Sequence, residues 1–532
     1  MNGYDSLIES LKYLGVEFIF GLPGDIQTDL YRAVKGSKIE WITVRNEKCA
    51  AFMADIYSRI SGKVGVCFST LGPGATNLVS GLANSTQDRS SVIALSDQVS
   101  LKQLKLNTHQ YLDYNNLFSK NSGVVKGSYL VRETKEIPLI LKEAFKLSTQ
   151  DYPGAVHIGL PVDVMMMKAE RTEIIEESEK NISSDSKKIA NQIYEKIKGK
   201  KCLVFAGPSI NRSMAQKEFI NFIEKTGIPV LTSFNGKNSI SNNHKLYIGT
   251  ISRHLQQVFS EIFNDSELIL LIGYDYIEGV KPQIFGDMDK IINLDCVDNR
   301  VVEDFYPNNS FFVNLKEVLD NLAELDYEKK EHFDVTKIKI KIKKVIYKDL
   351  DMNVYPPRPH RVIEAINKTY GDNSIIVCDV GLNKYYSGLL LEKRESNKIL
   401  FSNGLSSMAF SSGALAAKLA DPSKDVLVIC GDGGLLMDLQ EISTCIRYNI
   451  PLTIVVFNNG GLGLIEQAQK KEFGNYHEVH FESPDYCKLI ESFGGKGHRV
   501  RSHAQLEEIL DKSRMSKGVN LIEVPINYAE GI

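Results

Sequence analysis

Short apolar runs alternate with longer amphipathic segments through most of the chain. The runs 426–430, Val-Leu-Val-Ile-Cys, and 452–457, Leu-Thr-Ile-Val-Val-Phe, are almost uninterrupted, which is typical of strands buried on both faces. Between them, apolar residues recur at helical spacing over 437–448. Strand, helix and strand in this order predict a β-α-β unit with parallel strands and a right-handed crossover.

The same alternation in the rest of the chain predicts an α/β protein of three consecutive doubly wound parallel-sheet domains. A length of 532 residues also favours about three cores over one. Two charged stretches poor in large apolar side chains, 171–188 and 326–348, are interpreted as separators. We therefore expect an N-terminal domain over 1–170, a central Rossmann-like domain over 189–325 and a C-terminal domain over 355–532.

Glycine-rich turns follow both strands of the β-α-β unit in the last domain. They read Gly-Asp-Gly-Gly at 431–434 and Asn-Asn-Gly-Gly at 458–461. Because the carboxyl ends of parallel strands meet at one edge of a sheet, Asp432 and Asn459 are expected side by side. Carboxylate and amide oxygens suit Mg²⁺, which usually adds phosphate oxygens and water. One glycine-rich turn of this kind would more often be structural. The two turns together, followed by the N-terminus of a helix, predict a magnesium–diphosphate site.

Gly-Asp-Gly followed one crossover later by Asn-Asn resembles the cofactor motif of thiamine-diphosphate enzymes. Over nearly its whole length the chain is similar to the acetolactate synthase large-subunit family, and most similar to its flavin-free catabolic branch. The resemblance implies thiamine diphosphate and Mg²⁺, a pyrimidine-binding first domain and a diphosphate-binding last domain. It also implies an enzyme that decarboxylates a pyruvate-like 2-oxo acid and transfers the remaining fragment to a second carbonyl compound, which is a carboligation.

The resemblance assigns roles to individual residues. Glu47, at a strand end before an Ala-rich helix, matches the glutamate that hydrogen-bonds the aminopyrimidine ring; taken alone, it would be interpreted as a first-turn acid favoured by the helix dipole. Asp432, Asn459 and the carbonyl of Gly461 are expected to bind the metal. The residues expected to bind the cofactor are Pro23, Gly24, Gly72, Asn77, Gly381, Gly404, Ser406, Met408, Gly431, Asp432, Gly433, Gly434, Asn459, Gly461, Leu462, Gly463 and Leu464.

Two of these residues have specific roles in the resemblance. The carbonyl of Ser406 would accept a hydrogen bond from the 4′-amine of the cofactor, and Met408 would support the cofactor in its bent form. A methionine is otherwise more often a core filler. The family also divides each active site between two chains, with Glu47 from one and Asp432 and Asn459 from the other, so a homodimer or homotetramer is expected.

The substrate side offers His109 and Gln110, in a segment that resembles the His-Gln segment of catabolic acetolactate synthases. Both side chains can donate to an oxo acid or an oxyanion, although a lone histidine is more often structural. Asp25 departs from the family pattern and is found instead in decarboxylases of the pyruvate decarboxylase type, where it relays protons. The alternative function is therefore a non-oxidative decarboxylase that releases an aldehyde, and Asp25 could also be an ordinary helix-start residue.

Other features of decarboxylases are missing, because the chain has His109-Gln110 in place of their paired histidines and Ile465 in place of their glutamate. A further alternative is a non-catalytic thiamine-diphosphate-binding protein. FAD is not expected, since the central domain lacks a Gly-x-Gly-x-x-Gly turn and the segment 272–279 differs from that of flavin-binding relatives. Ala468 stands where those relatives carry a tryptophan, which predicts a roomier acceptor pocket.

Composition narrows the remaining classes of partner. The net charge of −3 gives no indication of nucleic-acid or anionic-membrane binding. No apolar run reaches the roughly 18 residues of a membrane span, and no signal sequence is recognised at the start. The eight cysteines form no Cys-x-x-Cys pair, and they predict buried free thiols in a reducing cytoplasm.

Overall fold

The computed structural model describes residues 1–25, 28–106, 108–150, 152–170, 185–252, 255–297, 307–328, 330–348 and 350–528. It contains three six-stranded sheets, and the strand pairings within each are parallel. The predicted α/β class of three consecutive parallel-sheet domains is thereby confirmed. Within these ranges no helix is both long enough and apolar enough to cross a membrane. Most of the predicted first separator, 171–184, lies outside the described residues.

The first sheet is built from short strands that are buried on both faces. Its strands are β1 Phe18–Gly21, β2 Glu40–Thr43, β3 Gly65–Ser69, β4 Val92–Gln98, β5 Gly127–Leu130 and β6 Ala155–Pro161. The helices are α1 Gly3–Tyr13, α2 Thr28–Lys35, α3 Glu47–Ser61, α4 Pro73–Gln87, α5 Tyr114–Leu117, α6 Ile137–Thr149 and α7 Val162–Met166. The strand order is β2-β1-β3-β4-β6-β5, so the loops after β1, β2, β3 and β4 share one edge.

The central sheet has the strand order of a dinucleotide-binding fold. Its strands are β7 Cys202–Ala206, β8 Val230–Thr232, β9 Tyr247–Thr250, β10 Leu268–Ile272, β11 Ile291–Asp295 and β12 Asn309–Phe312, in the order β12-β11-β10-β7-β8-β9. The helices are α8 Ser186–Ile197, α9 Ser209–Arg212, α10 Gln216–Thr226, α11 Gln256–Asp265, α12 Leu315–Glu324 and α13 Val335–Ile346. The charged stretch 326–348 thus contains a helix, α13, whose Ile342 is buried against the central core.

The third sheet repeats the topology of the first. Its strands are β13 Ser374–Cys378, β14 Lys398–Phe401, β15 Asp425–Gly431, β16 Leu452–Asn458, β17 Lys496–Arg499 and β18 Val519–Pro525, in the order β14-β13-β15-β16-β18-β17. The helices are α14 Pro359–Tyr370, α15 Leu382–Leu390, α16 Leu415–Ala420, α17 Asp432–Asp438, α18 Ile442–Arg447, α19 Gly463–Phe473, α20 Tyr486–Ser492 and α21 His503–Arg514. β15 and β16 pair in parallel, as predicted.

The crossover between β15 and β16 differs from its prediction in one respect. The expected single helix over 437–448 is two helices, α17 and α18, joined by a 3₁₀ turn, and α17 begins at Asp432 itself. The glycines after Asp432 hid this start, since glycine is a poor helix former. Asp432 therefore occupies the first turn of a helix, where the partial positive charge of the N-terminus favours a carboxylate.

One hydrophobic core joins the first and third domains through α3. The helix is buried around nearly its whole circumference, because alanines and Gly413 let other elements approach closely. The rings of Phe52 and Phe410 pack edge to face with centroids 6.0 Å apart, and a Cβ at Gly413 would lie 2.6 Å from the Phe52 carbonyl oxygen. The start of α3, which carries Glu47, is thus held firmly between two domains.

Candidate active site

Glu47 is the first residue of α3 and only 3% exposed. Asn77 of α4 donates from Nδ2 to Oε2 of Glu47 at 2.9 Å. The other carboxylate oxygen faces Gly74, where an added Cβ would lie 3.1 Å away. One oxygen is therefore fixed by an amide, and the glycine leaves space beside the second. This arrangement suits a carboxyl group that must offer one oxygen to a ligand.

The other predicted residues of the first domain lie in loops at the same sheet edge. Gly72 caps α4 with φ +65°, and a Cβ there would lie 2.9 Å from Cβ of Gln110. Gln110 itself has φ +59°, an uncommon conformation for a non-glycine residue that tends to occur at functional sites. His109, Pro23 and Asp25 are exposed in these loops. The structure places Gln110 against Gly72, and among the described residues it gives no contact that assigns a role to His109 or Asp25.

Asp432 is 1% exposed and its side chain faces backbone amides. Oδ2 accepts from the N–H groups of Asn459, Gly460 and Gly461 at 3.2, 2.7 and 3.2 Å, and Oδ1 accepts from Gly433 at 2.8 Å. The loops after β15 and β16 are thus joined through one carboxylate, as the spacing in the sequence predicts.

The electrostatics of Asp432 are those of a site for a cation. Burial raises the pKa of Asp432, and the backbone N–H groups oppose that rise. In the described part of the chain, no lysine or arginine lies within ion-pair distance of the Asp432 carboxylate. A buried carboxylate without a positive partner is unfavourable. The Asp432 carboxylate, the Asn459 amide and the Gly461 carbonyl are hard oxygen donors, so the residues fit Mg²⁺.

Glycines open a cradle around Asp432. A Cβ at Gly433 would lie 3.0 Å from Cδ2 of Leu462 and 3.6 Å from Cε of Met408. A Cβ at Gly434 would lie 2.1 Å from the Asp379 carboxylate. A side chain at Gly433 would thus enter the space beside Leu462 and Met408, and one at Gly434 would collide with Asp379. The glycines keep the first turn of α17 accessible, so this cradle fits a diphosphate, which helix N-termini bind.

Further predicted residues surround this cradle. A Cβ at Gly463 would lie 2.9 Å from Cδ1 of Leu382 and 3.2 Å from Nδ2 of Asn459, and Leu464 follows in the first turn of α19. Gly381, with φ +140°, and Gly431 both face Oδ1 of Asn383. The sequence analysis did not single out Asn383. The signal for it in the sequence is the tripeptide Gly-x-Asn at 381–383, shortly after β13.

The loop after β14 carries Gly404, Ser406 and Met408. Gly404 lies against the end of α4, where a Cβ would lie 2.6 Å from the carbonyl of Gln87. Ser406 and Ala409 have φ values of +54° and +73°, although neither is glycine. The loop that contains Met408 is therefore held in an unfavourable backbone conformation on both sides of that residue.

Within one chain, the start of α3 meets the third domain at a different place. Oε1 of Glu441 accepts from the N–H groups of Arg45 and Asn46 at 2.8 and 3.1 Å. Lys48 pairs with Asp438 at 3.0 Å. Glu47 thus lies beside the last turn of α17 and the turn that follows it, while the glycine cradle surrounds the first turn of α17.

Comparison with known proteins supports a thiamine-dependent site. Three protein-family models of thiamine pyrophosphate enzymes match the chain: the N-terminal TPP binding domain over 1–117, the central domain over 187–322 and the C-terminal TPP binding domain over 379–524. The three matches follow the three sheets in order.

Curated relatives are similar over almost the whole chain. A probable acetolactate synthase large subunit of Methanococcus aeolicus is 32% identical, with 96% of this chain and 90% of that protein covered. The chain belongs to the acetolactate synthase large-subunit family. A probable large subunit of Methanocaldococcus jannaschii is 31% identical (100% and 93% covered), and an acetolactate synthase large subunit of Buchnera aphidicola subsp. Schizaphis graminum is 30% identical (99% and 94% covered).

As a member of this family, the protein is a thiamine-diphosphate-dependent enzyme of the acetolactate synthase type. The resemblance inferred from Gly-Asp-Gly and Asn-Asn is confirmed. The residues that sequence reasoning assigned to the cofactor occupy the carboxyl edges of the first and third sheets, and their individual roles remain proposals.

Proposed function

We propose that the protein catalyses the Mg²⁺- and thiamine-diphosphate-dependent decarboxylation of a pyruvate-like 2-oxo acid, followed by transfer of the remaining fragment to a second carbonyl compound. The observation that carries this proposal is the buried Asp432 carboxylate, which lies at the N-terminus of α17 in a cradle of glycines. Among the described residues, no lysine or arginine pairs with it. That combination suits a divalent cation and a diphosphate together.

In this proposal Asp432, Asn459 and the Gly461 carbonyl hold Mg²⁺. The glycines 431, 433 and 434 leave room for the diphosphate, and Leu462 and Met408 provide an apolar floor beside it. When bound, thiamine diphosphate supplies the carbon nucleophile and takes up the electron pair released with CO₂. The protein contributes orientation, a dry environment and proton transfers.

Glu47 is the proton-handling residue of this proposal. Asn77 holds one of its oxygens, so the other is left to hydrogen-bond the ring nitrogen of the aminopyrimidine. A carboxyl at this position shifts the proton balance of the ring and thereby promotes deprotonation of the reactive carbon. This is general acid–base catalysis through the cofactor.

A homo-oligomer with shared sites is also part of the proposal. Two observations support it. The residues on either side of Glu47, Asn46 and Lys48, contact Glu441 and Asp438 of the same chain, and the face of α19 with Ile465 and Ala468 is exposed. A second copy would bring its Glu47 to the glycine cradle of this chain. A dimer contains two such sites, and a tetramer contains four.

We expect no bound FAD. At the switch point of the central sheet, between β7 and β10, a Cβ at Gly207 would lie 2.1 Å from the Gly273 carbonyl oxygen. The Asp275 side chain beyond them is paired with Arg212 at 2.9 Å and with Arg89 of the first domain at 3.3 Å. Asp275 thus pairs with both arginines at the crevice where such sheets bind dinucleotides, and this supports the expectation.

A cytoplasmic location is proposed from the cysteines. All eight are unpaired in the structure, and six of them are buried, including Cys67, Cys202, Cys378 and Cys430. Free thiols of this kind are compatible with a reducing compartment. We propose small 2-oxo acids and carbonyl compounds as the ligands, with no nucleic-acid or membrane partner.

The second candidate function is release of an aldehyde, which the exposed Asp25 would assist by donating a proton. Product analysis separates the two. Purified protein with thiamine diphosphate and Mg²⁺ is incubated with labelled pyruvate, in parallel with a D25A variant and an exposed-site control, D320N. Acetolactate from both the parent and D25A supports carboligation.

Acetaldehyde that disappears in D25A but not in D320N would replace carboligation with the decarboxylase function. Release of CO₂ with neither product would retain the decarboxylation step and direct the search to larger carbonyl acceptors. No CO₂ from pyruvate or from longer 2-oxo acids would contradict both functions.

A further inference from the structure

A buried lysine lies under the loop that carries Ser406 and Met408. Lys384, on α15, is 4% exposed, and burial lowers its pKa to about 8. Its Nζ donates to the carbonyl of Ser402 at 3.1 Å and to Oγ of Ser406 at 3.0 Å. In the part of the chain that the structure describes, no carboxylate lies within ion-pair distance of this ammonium group.

A buried lysine without an acidic partner is unusual. Here the ammonium group is satisfied by two hydrogen bonds to one loop. They join the first and the fifth residue of the segment 402–406. Ser406 Oγ also donates to the carbonyl of Asn403 at 3.0 Å. The serine side chain is therefore fixed from two sides, and the backbone that carries it is in the left-handed region at φ +54°.

Left-handed backbone is unfavourable for residues other than glycine, and serine is not among those that adopt it most readily. Such a conformation persists only where surrounding contacts determine it. At Ser406 those contacts are the Lys384 ammonium group and the Asn403 carbonyl, because the residue is otherwise exposed.

The rest of the loop is anchored by the other two domains. Asp88 of the first domain accepts from the N–H groups of Asn403 and Gly404 at 3.0 and 2.7 Å. Glu278 of the central domain accepts from Nδ2 of Asn403 at 2.9 Å. These contacts fix the position of the loop, but none of them reaches Ser406. The conformation at Ser406 itself depends on the third domain's own lysine.

We propose that Lys384 is a positioning residue that holds Ser406 in its left-handed conformation, so that the Ser406 carbonyl is presented to the aminopyrimidine of the cofactor. The proposal rests on the proposed function, since it assigns that carbonyl to the cofactor. Lys384 does not contact the cofactor in this scheme, and it acts through the backbone of the loop.

The test is a double-mutant cycle, because glycine adopts the left-handed conformation without strain. Four proteins are compared as full chains: the parent, K384M, S406G and K384M/S406G. Dissociation constants for thiamine diphosphate are measured by calorimetry at saturating Mg²⁺. We expect K384M to weaken binding about tenfold, from the strain of one left-handed residue, and to weaken it by less than about threefold when S406G is already present.

Lys237 provides a matched control. Lys237 is fully buried, and burial lowers its pKa to about 7. Its Nζ donates at 2.8 Å to the carbonyl of Gly388, which lies on α15, the helix that carries Lys384. K237M should lower thermal stability, yet its effect on cofactor binding should be the same with and without S406G. Equal effects of K384M in both backgrounds would show that Lys384 acts only through packing and would overturn the proposal.

A second measurement uses protein without cofactor. Hydrogen exchange of the peptide spanning 402–409 should be at least about fivefold faster in K384M than in the parent, and unchanged in K237M. If the parent binds no thiamine diphosphate, the proposed function fails, while faster exchange in K384M still supports the effect of the lysine on the loop. Unchanged exchange in K384M would contradict it. If K384M does not fold, K384Q replaces it in both experiments.

Discussion

At the scale of single residues, two buried carboxylates have opposite environments. Asp432 is surrounded by backbone N–H groups at a helix N-terminus, which is an environment for a bound cation and its diphosphate. Glu47 has one oxygen fixed by Asn77 and the other beside a glycine, which is an environment for a group that exchanges a proton with a ligand. The same chemical group, a carboxylate, thus suits two different proposed functions because the neighbouring atoms differ.

The role of Glu47 can be tested by replacing it with glutamine, which keeps the shape but not the acidity. E47Q should lower kcat for CO₂ release by about 10²- to 10⁴-fold, with a much smaller change in the dissociation constant for thiamine diphosphate. E40Q, on the exposed edge of β2, is the control and should behave as the parent. An E47Q variant with full activity would revive the interpretation of Glu47 as a helix-start residue.

Asp295 makes a pH-dependent contribution to stability. Burial, together with the nearby charge of Asp275, raises the pKa of Asp295 from about 3.8 to about 7. The folded protein therefore binds a proton that the unfolded chain has already lost, so the stability that this proton provides is lost as pH rises from about 4 to about 7.

D295N removes this titration and should raise the free energy of unfolding at pH 8 by on the order of 1–3 kcal/mol, with a smaller gain at pH 5. Thermal unfolding of D295N and the parent across pH 5–8 measures the difference. The exposed-site variant D320N should follow the parent at each pH. A D295N curve parallel to that of the parent would mean that Asp295 titrates normally.

At the scale of elements, the close contact of α3 and α4 determines where Glu47 meets Asn77. The contact depends on Gly81, where an added Cβ would lie 2.4 Å from Cβ of Ala51 and 2.8 Å from the carbonyl of Lys48. Two helices approach this closely only where one of them lacks a side chain. The geometry of the proposed proton-handling site is therefore set by a glycine on the same face of α4 as Asn77, one turn further along.

G81A should separate α3 from α4, destabilise the protein by about 1–3 kcal/mol and weaken cofactor binding, because Glu47 moves relative to Asn77. Chemical denaturation and calorimetry with thiamine diphosphate measure the two effects. G36A is the control, since a Cβ there would meet only the carbonyl oxygens of Ala33 and Arg32 at 3.6 Å. Parental stability in G81A would show that the helices adjust at no cost.

Element boundaries show how far local patterns carry. β15 and β16, at Asp425–Gly431 and Leu452–Asn458, end within one residue of the predicted apolar runs 426–430 and 452–457, because each continuous run is bordered by polar residues, glycine or proline. The predicted bounds of the crossover helix were wrong, because the first turn of α17 contains two glycines and a 3₁₀ turn separates α17 from α18. Burial against α3 stabilises that segment, and such packing leaves no mark on the local periodicity.

At the scale of the whole molecule, the first and third sheets share one topology, and each carries predicted cofactor residues at its carboxyl edge. Within one chain, Arg45 and Lys48 at the start of α3 contact Glu441 and Asp438, which supports the proposal that a second copy completes the site. Complementation between two inactive variants tests this directly.

E47Q and D432A chains are co-expressed with different tags and purified through both tags. If each site combines Glu47 of one chain with Asp432 of the other, the mixed oligomer contains intact sites and should recover up to about half of the parental activity. E47Q and D432A purified alone should both be inactive. A mixed oligomer as inactive as its parents would place the whole site within one chain.

The sequence by itself determined the fold class, the paired glycine-rich turns after two neighbouring strands and the family. These are recorded in local signals: apolar runs of strand length, glycines directly after strands, and oxygen ligands one crossover apart. The rule that parallel strands end at one edge then predicts which loops meet. The same signals indicated Asp432 and Asn459 as candidates, and the family resemblance indicated Glu47.

Only the tertiary structure revealed the hydrogen bonds from Lys384 to the Ser406 loop, the approach of Asn383 to the glycines, and the ion pairs of Asp275 with Arg89 and Arg212. Each of these joins residues far apart in the chain, or depends on a backbone angle that the residue type disfavours. Such contacts form because packing brings elements together, and no local pattern of hydrophobic and polar residues encodes them.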